Sequence, residues 1–162
     1  MAGFQTRVNT YPAPALEGDW ASANPETSAI NPVEGTLISG PSGLTVGRFA
    51  WVDSSGVATN SGTGTPAGFV RRGFNALITA FLGETSNVIV AGQPVNLFNN
   101  GDFWARTATN ATIGQKVFAS LTDGSIKTAA AGATVSGYIE TKWAVASAAS
   151  ANELIKITAW GV

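Results

Sequence analysis

Residues 134–146 read TVSGYIETKWAVA, and residues 153–160 read ELIKITAW. In the first run Ile139, Thr141, Trp143 and Val145 share one side of an extended chain, and Tyr138, Glu140, Lys142 and Ala144 share the other. Successive side chains of a strand point to opposite faces, so a period of two marks a strand buried on one side. The small-residue stretch 147–152 joins the two runs. They therefore predict neighbouring antiparallel strands of a half-buried sheet.

The same grammar extends upstream. GQKVFASL (114–121) closes on Thr122-Asp123-Gly124-Ser125 and returns as SIKTAA, the pattern of a hairpin. VNLF (95–98) is followed by Asn99-Asn100-Gly101-Asp102 and FWARTA (103–108). Asn-Gly between apolar runs predicts a second hairpin. VGRFAWV (46–52) alternates and stops at Asp53-Ser54-Ser55-Gly56; AGFVRR (67–72) restarts a strand after a Gly- and Thr-rich loop. Many short strands separated by Gly-rich turns indicate an all-β sandwich or barrel. Residues 69–82 (FVRRGFNALITAFL) carry a helical stripe through Val70, Phe74, Leu77, Ile78, Phe81 and Leu82. Gly73 and Asn75 favour strands there instead.

The first 35 residues follow neither period. Five of the seven prolines fall within the first 41 positions, at Pro12, Pro14, Pro25, Pro32 and Pro41. Proline fixes φ, removes a donor and extends the residue before it. Residues 1–35 are thus expected to form an extended N-terminal arm, and residues 36–162 the β domain. Val8, Tyr11, Leu16 and Trp20 give the arm apolar groups that need a surface: its own domain, a sister subunit or another protein.

Composition narrows the function. Charged residues make up only 12% of the 162, against 44% hydrophobic. A soluble domain carries about twice that charge, which implies a surface largely covered in use. Net charge is −1 and Arg71-Arg72 is the longest basic cluster, which disfavours direct nucleic-acid binding. The sequence shows no signal-peptide pattern and no run of 18 apolar residues, so neither secretion nor a membrane partner is expected.

Histidine and cysteine are both absent. That removes His-based triads, thiolate chemistry and the usual zinc ligands. No phosphate loop or dinucleotide fingerprint occurs. No cofactor, metal or catalytic residue is expected, and the chain does not read as an enzyme. Asp53, Asp102 and Asp123 sit where Asp forms turns. Of the five tryptophans, Trp51, Trp104, Trp143 and Trp160 fall on expected strands, as core or as a sugar-stacking platform. Trp20 lies in the arm, either as an anchor in a partner's pocket or as the group that folds the arm back. Arg71 and Arg72 read as a solvated pair at a strand end, or as one arginine held by a carboxylate and one facing a partner.

Several segments together resemble the structural cement, or head decoration, proteins of tailed bacteriophages. They are RVNTYPAPA (7–15), GDWASANP (18–25), TVGRFAWVD (45–53), PAGFVRR (66–72), ALIT (76–79), GDFWAR (101–106), ATIGQKVFASLTDGSI (111–126), AAGATVSGYIETKW (130–143) and ELIKITAW (153–160). Their order along the chain carries the likeness. The resemblance implies a jelly-roll-like sandwich without catalytic activity, made in the host bacterial cytoplasm and placed on the outer surface of the virion capsid. It implies the major capsid protein as partner, and self-association as a dimer ahead of a trimer. The contact residues expected from the arm are Arg7, Asn9, Tyr11, Pro12, Pro14 and Trp20. An arm of 20 residues spans roughly 65 Å at full extension, enough to reach a neighbouring capsomer. The alternative is a carbohydrate-binding β-sandwich or a head-fibre base that touches host glycans.

Overall fold

The computed structural model describes residues 14–73 and 87–161. Among the described residues there are strands and no helix. In chain order the strands are β1 (Thr27–Ser28), β2 (Ile38–Ser39), β3 (Leu44–Thr45), β4 (Phe49–Val52), β5 (Val57–Thr59), β6 (Gly68–Val70), β7 (Val88–Ile89), β8 (Leu97–Asn100), β9 (Asp102–Arg106), β10 (Lys116–Ser120), β11 (Ile126–Ala129), β12 (Tyr138–Val145) and β13 (Leu154–Thr158). They build a six-stranded sheet β1-β8-β6-β4-β5-β2, a five-stranded sheet β11-β10-β12-β13-β9 and a small pair β3-β7. Pairing is antiparallel except between β2 and β5. The expected all-β sandwich forms. From the stretch 69–82, the strand reading holds for Phe69 and Val70 in β6; residues 74–82 lie outside the described set.

The two larger sheets face each other across a ring-rich core. Phe49, Phe69 and Phe98 stand opposite one another on β4, β6 and β8. Phe103 of β9 stacks on Phe69 with centroids 5.1 Å apart, and Trp143 of β12 meets Phe49, Phe69 and Phe103 at 5.8–6.1 Å. These offset and edge-on contacts are the favoured geometries for aromatic pairs. The alternate residues Ala50, Val70 and Leu97 point the other way, into a second core with Leu44, Val46 and Ile89 around β3 and β7. The six-stranded sheet is thus apolar on both faces. On β12 the face read from the sequence is the buried one. Thr141 fits it because its hydroxyl donates to the Val117 carbonyl (2.7 Å) and accepts the Trp143 N–H (3.2 Å).

The Asp123-Gly124 hairpin forms as expected between β10 and β11. Its tip is tied to the opposite sheet, since Gly124 O accepts the Phe49 N–H at 2.9 Å and Asp123 pairs with Arg48 at 2.8 Å. The Asn100-Gly101 hairpin does not form. β8 pairs in the six-stranded sheet and β9 in the five-stranded one, with Gly101 alone between them. The reason is burial. Leu97 and Phe98 are buried on both faces, whereas β9 alternates, with Phe103 and Ala105 buried between less buried neighbours. Strands of such different character do not share one sheet, so the glycine turns a corner from one sheet to the other. Trp160 also departs from expectation: β13 ends at Thr158, and Trp160 is 51% exposed.

The continuous run 93–106 is therefore a spine common to both sheets, and each sheet curls back toward it. Thr107, just past β9, bridges Ile126 on the far edge strand β11; Pro94, just before β8, bridges Ile38 on β2. At the corner, Gly101 has φ +134°, and a Cβ there would stand 2.9 Å from the Phe103 ring. Gly101→Ala is expected to destabilise the fold by about 1–3 kcal/mol, read from urea unfolding. A wild-type midpoint in that variant would show that the corner tolerates a side chain.

Candidate interaction surface

The N-terminal arm, or leader (residues 1–35, described from Pro14), is held by backbone before any side chain acts. Gly18 N–H donates to Trp104 O (2.7 Å), Trp104 N–H to Asp19 O (2.8 Å) and Ala21 N–H to Asp102 O (2.9 Å). Further on, Thr27 and Ser28 pair with Asn100 and Phe98, and Ala29 N–H donates to Leu97 O at 2.7 Å. Val95 N–H then donates to Leu37 O (2.8 Å) and Ser39 N–H to Gln93 O (2.9 Å). Residues 18–21, 27–29 and 37–39 thus pair antiparallel with successive parts of the spine. This covers unpaired donors and acceptors that would otherwise line an open edge.

Side chains lock the arrangement. Asp19 accepts the Leu16 N–H at 2.9 Å and pairs with Arg72 at 3.3 Å. Trp20 is 54% exposed, yet its ring is fixed. The Arg71 guanidinium lies 3.8 Å from its centroid, and its Nε1–H donates to Glu26 at 2.6 Å. Glu26 in turn lies 3.8 Å from Arg71. A cation over an exposed indole contributes about 0.5–1 kcal/mol. Arg106 closes the series with an ion pair to Glu17.

Asp102 is the polar hub where leader and spine meet. One carboxylate oxygen accepts both the Ser22 hydroxyl and the Asn24 amide at 2.6 Å. Burial pushes this carboxyl up, but the Ser22 and Thr158 hydroxyls and the Asn24 amide outweigh it and hold it below the ordinary Asp value. Glu17, Asp19, Glu26 and Asp102 are each engaged by a neighbouring side chain. Among the described residues no cluster of three metal-ligating side chains occurs.

Of the expected contact residues, Trp20 takes this fixed, exposed position, and Pro14 is exposed at the start of the described leader. Arg7, Asn9, Tyr11 and Pro12 lie outside the described residues. Trp51 and Trp143 are core; Trp51 donates from Nε1 to Gly64 O at 2.9 Å. Trp104 is half-buried under Lys156, whose Nζ is 5.1 Å from the ring centroid. Arg71 and Arg72 each reach a leader carboxylate, so neither alternative drawn for the pair describes both. Glu26 and Asp102 give no separate signal in the sequence, because their roles depend on which strand the leader follows.

Comparison with known proteins gives this surface a setting. The family model described as XM1 gp53 minor capsid protein matches residues 4–159. The chain belongs to the XM1 gp53 minor capsid protein family. A solved structure titled "The capsid of Myoviridae Phage XM1" contains a chain of the same fold, with TM-score 0.65 and 19% identity over 98% of both chains. No curated protein matches this chain. The resemblance read from the sequence thus holds at the level of a phage capsid-associated protein, and this minor capsid protein is a structural component of the virion.

The hub supplies a pH test. A carboxyl held low in the fold contributes stability above its unfolded value, and that contribution is lost as pH falls through the folded one. Asp102→Asn should therefore be less stable than wild type above about pH 5, with the gap closing below about pH 4. Urea unfolding across that range reads it. A gap that is constant with pH would mean that the charge of Asp102 does not hold leader and spine together.

Proposed function

We propose that this minor capsid protein is a non-enzymatic cement. It binds the outer face of the major capsid protein lattice and cross-bridges neighbouring capsomers, so that the DNA-filled head resists outward strain. One observation carries the reading. The leader is fastened by main-chain hydrogen bonds to both sheets between Gly18 and Ala29, while Leu16 and Trp20 stay about half exposed upon it. A bridging segment needs such a footing, because a tether on a rigid base passes load to the whole fold. The β domain, residues 36–162, is that base. The leader, residues 1–35, makes the contact through Arg7, Asn9, Tyr11, Pro12, Pro14 and Trp20.

The low charge of the chain supports the same reading. A surface kept against another protein needs little charge for solubility, and a standard contact buries about 800 Å² per partner. Attachment at two points makes the second contact intramolecular and raises avidity without new chemistry. Dimerisation would double the number of leaders per attached particle. The glycan-binding alternative fits less well, because the Arg71 guanidinium already stacks on the Trp20 ring.

A chain starting at Pro14 tests the proposal. It keeps every leader–spine bond from Gly18 onward, so its unfolding midpoint should match the full chain. Its affinity for expanded, emptied capsids should fall at least about tenfold, or about 1.4 kcal/mol, measured by co-sedimentation. Equal binding by the two chains would take residues 1–13 out of the mechanism. Failure of the full chain to bind expanded capsids would end the cement reading.

A further inference from the structure

We infer that the outer face of the five-stranded sheet is a second shell-binding surface, and that it fits an acidic patch on neighbouring shell subunits. This rests on the cement reading and supplies the second of its two points of attachment. The chain has four lysines, Lys116, Lys127, Lys142 and Lys156, and they stand one each on β10, β11, β12 and β13. Residues directly opposite one another in a sheet share a face, and so do alternate residues of a strand. Phe118 stands opposite Lys127, Lys116 opposite Ala144, Ala144 opposite Thr158, and Lys156 opposite Trp104. That register puts all four lysines on one face. The other face is the core, with Val117, Ile126, Trp143 and Ile157. The four strands are neighbours in the order β11-β10-β12-β13, so the lysines spread over three strand spacings, roughly 15 Å.

Two features mark this face as a contact surface. First, its positive charge is held in place but not spent. Arg48, Arg71, Arg72 and Arg106 each pair with a carboxylate, whereas among the described residues no lysine does. The ammonium groups rest on neutral partners instead. Lys116 donates to Lys142 O at 3.2 Å and Lys142 to Asn100 Oδ1 at 2.8 Å; Lys127 lies 4.5 Å from the Tyr138 centroid and Lys156 5.1 Å from that of Trp104. Side chains positioned in advance lose little freedom on binding. On β10–β13 the one carboxylate is Glu140. It accepts the Gly132 N–H at 2.7 Å, which brings the uncharged connection 130–137 onto the face.

Second, the charge selects the partner. A second copy meeting this face through its own would set lysine against lysine. Nor does a copy offer a strand face rich in acid, since among the described residues Asp102 and Glu140 are the carboxylates on strands. Tight phosphate-driven binding to DNA draws on about six to ten cations, more than four lysines with Glu140 among them supply. A carboxylate-bearing protein surface needs only a few, and the place of this chain in a capsid supplies neighbouring protein surfaces.

The experiment uses the full chain and emptied, expanded capsids, with binding measured by co-sedimentation at about 50 and 300 mM NaCl. A fourfold variant (Lys116→Gln, Lys127→Gln, Lys142→Gln, Lys156→Gln) removes the charge and keeps polar side chains on the sheet. Wild-type affinity should fall about fivefold or more between the two salts, because charge pairs across an interface are screened. The fourfold variant should bind at least about tenfold more weakly at the lower salt and respond little to the higher. Glu140→Gln leaves the lysines and the Gly132 bond in place and should bind about twofold or more tighter. Glu34→Gln, exposed and outside the sheet, should bind as wild type. Wild-type binding by the fourfold variant overturns the inference and leaves the cement reading standing. Wild-type binding that ignores salt does the same. Loss of self-association in the fourfold variant, seen by sedimentation velocity with capsid binding intact, also overturns it, because the face would then belong to a second copy. So does binding of a short DNA duplex that the four substitutions abolish while capsid binding persists. If the wild type does not bind expanded capsids at all, the cement reading itself falls, and this inference with it.

Discussion

The backbone pairing of residues 18–21, 27–29 and 37–39 with the spine is the constraint on which the rest of this structure depends. The spine contributes β8 to one sheet and β9 to the other, through the single residue Gly101. Elsewhere the sheets are tied by the Asp123-Gly124 tip on Phe49 and Arg48, but at this corner one residue alone joins them. The leader bonds to Trp104 and Asp102 on one half and to Leu97 on the other, and residues 37–39 just after it continue to Gln93. It acts as a splint across the corner. Phe69, Phe98 and Phe103 fill the angle behind it, so main-chain bonds and ring packing oppose the same opening motion.

This arrangement reconciles two properties that usually conflict. Strand edges offer a ready template for pairing with other chains. Here the leader covers the outer side of the spine, Thr107 and its neighbours reach β11, and residues 93–95 reach β2. A fold closed in this way meets a partner through side chains rather than by adding a strand. The chain also carries little charge, and the leader's Glu17, Asp19 and Glu26 are turned inward onto arginines. The result is a body with few unpaired charges along the described leader, which suits a place in a virion.

Much of the fold is legible in the sequence. The period of two along Tyr138–Val145 and Leu154–Thr158, and the Asp123-Gly124 turn, depend on near neighbours, and the strands and hairpin they predict all form. The Asn100-Gly101 step misleads because a glycine with positive φ serves a hairpin and a corner equally well. Only the burial of Leu97 and Phe98 on opposite faces separates the two, and that is a property of the assembled sheets. The surface is less legible. Trp20 stands out as an apolar ring among prolines. Its partners Arg71 and Glu26, and the Asp102 hub, are brought together by pairings across up to 80 positions, which no local pattern records. The likeness to phage head proteins lies in the order of short segments along most of the chain, and the family match covers the same length, residues 4–159.

The most direct measurement is amide hydrogen exchange, residue by residue, on the full chain in solution. If the leader splints the corner, the amides of Gly18, Ala21 and Ala29 will exchange only with global unfolding, as slowly as those of Ile155 and Ile157 in β13. Fast exchange at those three leader amides, with β13 still protected, would mean that the sheets hold together without the leader, and the splint would be no constraint at all.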